Sequence, residues 1–100
     1  MRHKLPARHG IETFNFSFDS VTYHISFSRF PNGNPSEVFV VCGKPGSALA
    51  HMGRDLGIAV SVMLQSGMFL TDLSQSLTRH DDGTPAGPLG KLIEEMMALW

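Results

Sequence analysis

The feature that most constrains this chain is a change of hydrophobic period part-way along it. Between Ile11 and Phe30 apolar residues alternate with polar ones, whereas after Ser47 they recur every three or four residues. The first pattern predicts strands with one wet face, and the second predicts helices. Strands followed by helices are typical of an α+β domain. We therefore predict an α+β fold, with a three-stranded antiparallel β-sheet followed by two or three helices packed on one face.

Three strands are predicted in the first part of the chain. The first covers about Ile11–Phe18 and the second about Val21–Phe30, and the two-residue turn between them favours an antiparallel hairpin. A proline- and asparagine-rich turn over Pro31–Pro35 precedes the third strand, about Glu37–Cys42. The apolar run inside the third strand does not alternate. We therefore expect it to be covered on both faces, in the middle of the sheet or under the helices.

Three helices are predicted in the rest of the chain. Ser47 is a good N-cap for a first helix that ends near Ser66. Thr71 is the N-cap candidate for a second helix, to about Arg79, and a third helix covers about Leu89–Leu99. The first helix is apolar on more than one side, which predicts either the central helix of the fold or part of a subunit interface.

Charge is nearly balanced overall but uneven at one end. The formal net charge is −1, so the chain lacks the basic field that supplies much of a nucleic-acid binder's affinity. The first nine residues, in contrast, are rich in arginine, lysine and histidine. We predict a flexible basic N-terminal arm over residues 1–10 and a single domain over residues 11–100.

Cysteine usage and the lack of long apolar stretches indicate the compartment. Cys42 is the one cysteine, so the chain cannot form an intramolecular disulfide and nothing suggests an oxidising compartment. The start has no apolar stretch of signal-peptide length, and the longest apolar-rich segment, Leu49–Leu64, is too polar to span a membrane. We expect a cytoplasmic protein without a membrane contact.

The turn between the third strand and the first helix is the first candidate site. Lys44, Gly46 and Ser47 lie where a helix N-terminus offers free N–H groups, and the lysine adds charge, so this turn is a candidate contact for an anion or a partner. The spacing does not match a Walker A loop. Plain turn geometry, which also requires glycine in a tight strand-to-helix connection, is the alternative.

Two glycines inside the first helix are the second candidate. Gly53 and Gly57 lie one turn apart, bracketed by Ala50 and Ser61 at similar spacing. Each glycine costs about 0.5–1 kcal/mol of helix stability relative to alanine, so two of them need a reason. Small residues on one helical line let another backbone approach closely. That backbone belongs to the second helix or the sheet, or else to another chain in a homodimer or docking contact.

The remaining reactive residues do not form a recognisable constellation. Cys42 has no histidine beside it in sequence, and a buried free thiol is its usual fate, although its reactivity depends on spatial neighbours. His24, His51 and His80 lie on different elements without ligand spacing. We predict no catalytic, cofactor-binding or metal-binding residues and no bound cofactor.

One string of residues in the third strand and the following turn carries a family resemblance: Glu37, Val38, Phe39, Gly43, Lys44, Gly46 and Ser47. It resembles the TSCPD domain, which is found at the C-terminal end of many adenosylcobalamin-dependent ribonucleotide reductases and in small stand-alone proteins. The similarity covers about Val21 to Ile93. The resemblance implies a small α+β domain with a connection to ribonucleotide reduction.

The chain departs from that family in its thiols. The reductase domains typically contain or precede further cysteines, including a tail pair that carries reducing equivalents, whereas here Cys42 stands alone. Thiol–disulfide exchange with a resolving partner inside one chain is therefore impossible. One hundred residues also leave no room for the barrel that holds the radical chemistry and the cobalamin.

Three functions are open at this point. The leading hypothesis is a non-catalytic accessory or interaction module that resembles the reductase-associated domain and acts through a protein partner or self-association. The second is a nucleotide- or nucleic-acid-binding module that uses the N-terminal arm, Lys44, Arg29 and Arg54. The third is a ribonucleotide reductase component that acts in trans.

Overall fold

The structure, a computed structural model, describes residues 10–99. The predicted basic arm therefore lies outside the described residues, except for Gly10. The elements follow one another as three strands and three helices: β1 Glu12–Phe18, β2 Val21–Arg29, β3 Pro35–Cys42, α1 Ala48–Gln65, α2 Leu70–Ser76 and α3 Pro88–Ala98. This order confirms the predicted α+β class. Contacts divide the chain into two units, one up to Gly67 and one from Met68 onwards.

The first unit contains the whole sheet, whose strands lie in the order β1-β2-β3 with both pairs antiparallel. Phe18 pairs with Val21, so Asp19 and Ser20 form a two-residue turn. Both turn residues have positive φ, 48° and 67°, as a mirror-image hairpin turn requires. The predicted hairpin is confirmed.

The prediction that β3 is covered on both faces was wrong. The middle strand is β2, and β3 is an edge strand with an alternating burial pattern. Val38 and Val40 are buried on one face, whereas 52% of Phe39 and 64% of Val41 are exposed on the other. The apolar run misled the prediction because apolar residues on a solvent-facing side give the same pattern as residues beneath a second layer.

The apolar face of the sheet supplies the core of this unit. Its buried side chains come from all three strands: Phe16, Tyr23, Ile25, Phe27, Val38, Val40 and Cys42. Phe16 and Tyr23 stack with ring centroids 5.0 Å apart. Helix α1 packs on this face and lies against β3, which confirms the part of the prediction that placed β3 under a helix.

Helix α1 begins and ends where the local signals predicted. The hydroxyl of Ser47 accepts a hydrogen bond from the backbone N–H of Ala50 at 3.2 Å, which caps the N-terminus. The helix ends at Gln65, and Gly67 follows in the left-handed region with φ 93°. Glycine tolerates that conformation without a steric cost, so it terminates the helix cleanly.

The second unit contains α2 and α3, and α2 begins earlier and ends earlier than predicted. Its N-cap is Phe69 rather than Thr71, because the backbone N–H groups of Asp72 and Leu73 donate to the Phe69 carbonyl. No side chain caps this end. The prediction relied on the hydroxyl of Thr71, which lies inside the first turn instead.

The residues predicted to continue α2 form part of a tight loop. Leu77 has extended backbone angles, and Arg79 makes an isolated antiparallel bridge with Pro85. His80 donates its backbone N–H to the Thr84 carbonyl at 2.8 Å, which closes the loop. The helix therefore stops at Ser76. Helix α3 then begins with a proline at its first position, within one residue of the prediction.

Candidate functional site

The residues of the predicted anion site all have a structural role in the β3–α1 turn. Gly43 and Gly46 have positive φ, 70° and 82°. The backbone N–H of Ser47 donates to the Lys44 carbonyl at 2.9 Å, and the Ser47 hydroxyl is engaged as the helix cap. Turn geometry accounts for these residue types without a ligand. An anion or partner contact at Lys44, Gly46 and Ser47 stays a prediction.

The two glycines of α1 lie directly against β3. A Cβ atom on Gly53 would be 2.5 Å from the Cys42 Sγ, and one on Gly57 would be 2.9 Å from the Val38 carbonyl oxygen. Neither position has room for a side chain. The close backbone approach that the sequence indicated is therefore made to the sheet of the same unit, and β3 occupies the space that Gly53 and Gly57 leave open. An interface between chains at this pair stays untested.

Two polar residues continue the glycine line along α1 and bind the backbone of β3. The Ser61 hydroxyl accepts the Val38 N–H at 2.8 Å, and its own hydrogen is within reach of the Gly57 carbonyl at 2.7 Å and the Val38 carbonyl at 3.1 Å. One turn later, the Gln65 amide donates to the Ser36 carbonyl at 2.7 Å. Ser61 and Gln65 are both buried.

These contacts show which backbone groups of β3 point away from β2. Hydrogen-bonding direction alternates along an antiparallel strand, and the groups of Val38 point outward to Ser61. The groups of Val40 and Cys42 therefore point outward as well. Within residues 10–99 no hydrogen bond from another element reaches them. Side chains of α1 consequently hydrogen-bond the first half of the outer edge of β3, whereas the glycines of α1 lie against Val40 without such a bond.

A groove of about 270 Å³ runs along this edge, between β3 and the flank of α1. Phe39 and Val41 line it on the sheet side, and Arg54 and Ile58 line it on the helix side. Phe39, Val41 and Ile58 are all exposed, and so is Val62, one turn beyond Ile58. We call this groove, together with the β3 residues that line it, the β3 edge site.

Sequence reasoning found some components of the β3 edge site and missed others. It named Arg54 only for a nucleotide hypothesis, and it noted Ser61 only as a small residue beside the glycines. Polar residues spaced four apart on an otherwise apolar helix face were the available signal for Ser61 and Gln65. The outward backbone groups of β3 carry no sequence signal, because they depend on which strand lies at the edge.

Cys42 is buried at the open end of β3. Only 3% of the residue is exposed, and its thiol donates to the Leu49 carbonyl at 3.5 Å. Burial raises the pKa of the thiol above its ordinary value. Cys42 therefore stays protonated at neutral pH, whereas a nucleophilic cysteine requires the thiolate.

The other candidate ligands and cations lie apart from one another. His24 is on β2, where its ring contacts the Asn15 side chain at 2.9 Å, while His51 is on α1 and His80 is in the loop after α2. Among residues 10–99 no three histidine, cysteine, aspartate or glutamate side chains are placed to hold a metal ion. Over the same part of the chain, no helix is both long and apolar enough to cross a membrane.

Arg29, which the nucleotide hypothesis would use, is engaged within the sheet. Its guanidinium forms an ion pair with Glu12, donates to the Gly33 carbonyl at 2.9 Å and lies 5.2 Å from the centre of the Phe27 ring. The hydrogen bond from Arg29 holds the pKa of the Glu12 carboxyl below its usual value. Nucleotide binding stays a prediction without a contribution from this arginine.

The architecture described above defines a small α+β domain in which a glycine-bearing helix docks on an edge strand. A family model for the TSCPD domain matches residues 3–97. The chain belongs to the TSCPD domain family, and the resemblance inferred from the β3–α1 string is confirmed.

One curated relative gives this family a biochemical setting. The chain is 24% identical over 106 residues to a vitamin B12-dependent ribonucleotide reductase from Rhodopirellula baltica. The match covers 99% of this chain and 10% of the reductase, so the chain spans about a tenth of that relative's length. No solved structure matches the chain significantly.

Proposed function

We propose that the chain is a non-catalytic interaction module that works with a ribonucleotide reductase through protein–protein contacts. The observation that carries this proposal is the exposed apolar cluster of the β3 edge site, formed by Phe39, Val41 and Ile58 around one groove. Contiguous exposed apolar surface on a soluble domain marks an interaction site more often than a scattered apolar residue does. The family match and the reductase relative supply the class of partner.

The chemistry of Cys42 supports a non-catalytic role. A thiol that carries electrons must ionise and must exchange with a second thiol. Cys42 is the single cysteine of the chain, and burial raises its pKa. Electron transfer to a nucleotide therefore falls to other proteins, and this module contributes binding.

Association with a reductase tests the proposal directly. Purified chain is mixed with a vitamin B12-dependent ribonucleotide reductase from the same source, and binding is measured by sedimentation velocity and by isothermal titration calorimetry. We expect a complex with the wild-type chain. Phe39→Ser should weaken it by about tenfold or more, because truncation of a central apolar residue costs over 1 kcal/mol at an interface.

Met52→Ser is the matched control. Met52 is an exposed apolar residue of α1 that does not line the groove. The variant should bind the reductase as the wild type does. If the wild-type chain neither associates with the reductase nor changes its turnover, the proposed function is wrong.

A further inference from the structure

We propose that the β3 edge site accepts an amphipathic helix of the partner protein, which packs along α1 and places an acidic side chain beside Arg54. This inference deepens the interaction function above and rests on it. It identifies the kind of element by which the partner binds and the charge that this element carries.

The backbone of β3 is covered by α1, so the partner is recognised through side chains. A Cβ atom on Gly57 would be 3.2 Å from the Val40 nitrogen, and one on Gly53 would be 3.8 Å from the Val40 carbonyl oxygen. An extended segment over this surface would therefore bury N–H and C=O groups that find no partner, which is costly. A helix bonds its own backbone internally and loses nothing there.

The exposed side chains along α1 have the spacing against which a second helix packs. Arg54, Ile58 and Val62 are four positions apart and exposed, and we call these three residues the α1 ridge. Side chains four apart form one ridge on a helix surface, and a second helix packs its own ridges beside it. The α1 ridge spans about 12 Å, at about 1.5 Å per residue, so about two turns of a partner helix cover it.

The groove between this ridge and β3 takes inserted apolar side chains. Phe39 and Val41 line it opposite Ile58, and all three are exposed. Its volume of about 270 Å³ is below the range of about 300–1,000 Å³ that is typical of small-molecule sites. An amphipathic helix that lays aliphatic or aromatic side chains into a groove is a common way to fill such a surface.

Charge distinguishes the two ends of the groove. Arg54 is exposed, and no residue three or four positions from it in α1 is acidic. Gly53 lies against Cys42, so Arg54 is level with the carboxyl end of β3, where exposed Lys44 follows by two residues. Neither Arg54 nor Lys44 forms an ion pair with another residue in the range 10–99. Glu37 lines the other end of the groove.

This asymmetry specifies the direction of the partner helix. The carboxyl end of a helix carries a partial negative charge, which cations stabilise. A partner helix that runs antiparallel to α1 places that end beside Arg54 and Lys44. An acidic side chain one turn after its last apolar residue then meets Arg54.

Peptide titration into the full chain tests the proposal. The probe is the capped peptide Gln-Ala-Ala-Leu-Gln-Ala-Leu-Leu-Gln-Ala-Leu-Glu-Gln-Ala, and binding is followed by amide chemical shifts. We expect the shifts to change at Phe39, Val41, Ile58 and Val62. A counterpart with lysine in place of glutamate should bind about fivefold more weakly, at the upper end for a surface ion pair.

A proline peptide tests whether the bound segment is helical. It has proline in place of the alanine that precedes the two adjacent leucines, which interrupts a helix. This peptide should bind about tenfold more weakly or less still, because proline in a helix interior is strongly unfavourable. If it binds as tightly as the glutamate peptide, the segment is not a helix and the proposal is wrong.

Substitutions on α1 separate the charge requirement from general stickiness. Arg54→Glu should reverse the preference between the glutamate and lysine peptides, whereas Met52→Ser should leave it unchanged. Ile58→Ser should weaken both peptides by about tenfold, the usual effect of truncating a central apolar contact. Equal affinity for the two peptides, no measurable binding of either, or shift changes away from the β3 edge site would each overturn the proposal.

A second copy of this chain is the alternative occupant. Its own α1 ridge carries a cation and no acidic residue, so it does not supply the side chain that Arg54 requires. Sedimentation velocity of the free chain checks this, and we expect no association through this surface. A dimer that Ile58→Ser disrupts would assign the surface to a second copy and overturn the proposal.

The outcome is distinguishable from that of the reductase experiment. If the reductase binds the chain but neither Phe39→Ser nor Arg54→Glu weakens the complex, the interaction function stands and this site is wrong. If the glutamate peptide binds as described but the reductase does not, the site stands and the partner belongs to another class of protein.

Discussion

At the scale of single residues, Ser61 determines how α1 meets the sheet. Its hydroxyl bonds the outward N–H of Val38, at the position where a neighbouring strand would otherwise supply an acceptor. The same oxygen remains within reach of the Gly57 carbonyl of its own helix. One buried hydroxyl thus links helix and strand backbones and satisfies the outward groups of Val38 at the strand edge.

Removing this hydroxyl should destabilise the domain. In Ser61→Ala the Val38 N–H loses its partner while it stays buried, which costs about 1–3 kcal/mol. Urea unfolding followed by circular dichroism measures the loss. An unchanged midpoint would mean that water replaces the hydroxyl without cost, so the bond would not hold α1 on β3.

Ser36→Ala is the matched control for Ser61. The Ser36 hydroxyl is also buried, but it has no hydrogen-bond partner within the described chain. Its removal should therefore be neutral or should stabilise the domain by up to about 1 kcal/mol. If Ser61→Ala lowers the stability and Ser36→Ala does not, the loss at Ser61 comes from the broken hydrogen bond and not from the removal of a buried polar atom as such.

Cys42 should make the stability of the fold depend on alkaline pH. Burial raises the pKa of its thiol in the folded state, so the unfolded chain ionises first, near pH 8.5. The stability that comes from the neutral thiol is complete below that pH and is lost as pH rises through the folded pKa. We expect the free energy of unfolding to fall as the pH rises above about 8.5.

The variant Cys42→Ala should flatten this part of the profile. Burial also raises the pKa of Tyr23, which acts in the same direction but at higher pH, from about pH 10 upwards. Tyr23→Phe should therefore leave the slope below that range in place. A slope that persists in Cys42→Ala would assign the effect to another group.

At the scale of elements, β3 and α1 behave as one docked pair. The helix runs back along the strand that precedes it, and a line of residues four apart meets β3 from its carboxyl end to its beginning: Gly53, Gly57, Ser61 and Gln65. The glycines allow contact between backbones, and the two polar residues bond the strand edge. The carboxyl half of the edge is therefore contacted by the glycines, and the first half is hydrogen-bonded by Ser61 and Gln65.

Gly57→Ala should be destabilising, although alanine is the better helix former. The added Cβ would lie 2.9 Å from the Val38 carbonyl oxygen and 3.2 Å from the Val40 nitrogen, both of them backbone atoms. Overpacking of this kind costs about 1–3 kcal/mol, which exceeds the gain in helix propensity of about 1 kcal/mol. Thermal unfolding measures the net effect.

Ala59→Gly provides the comparison for Gly57, because Ala59 lies on the exposed side of the same helix. It should cost about 1 kcal/mol through propensity alone. A Gly57→Ala variant that is more stable than the wild type would show that α1 does not approach β3 closely.

Local signals predicted some elements better than others for physical reasons. The bounds of α1 followed from Ser47 and Gly67, because capping is settled by a few neighbouring residues. The start of α2 was missed because Phe69 caps it through its backbone, which leaves no side-chain signature. The place of β3 in the sheet was missed because strand order depends on which partners assemble, and hydropathy does not report that.

At the scale of the whole molecule, the candidate site was only partly predictable. The sequence identified the close approach at Gly53 and Gly57 and the family to which the chain belongs. It did not identify the exposed cluster of Phe39, Val41 and Ile58, because an apolar residue looks the same in sequence whether it is buried or exposed. The β3 edge site consists of residues from two elements that only the packing of α1 on β3 brings together.

The sequence by itself determined the class of fold, the hairpin, the bounds of α1 and the single thiol that cannot exchange with a partner inside the chain. These properties follow from periodicity, from turn and cap chemistry and from counting, all of which act over a few residues. The tertiary structure decided that β3 lies at the edge and that α1 bonds only half of it. The first depends on strand pairs up to 19 positions apart, such as Tyr23 with Cys42. The second depends on a bond between residues 23 positions apart, Val38 and Ser61, and such contacts form only when the whole unit packs.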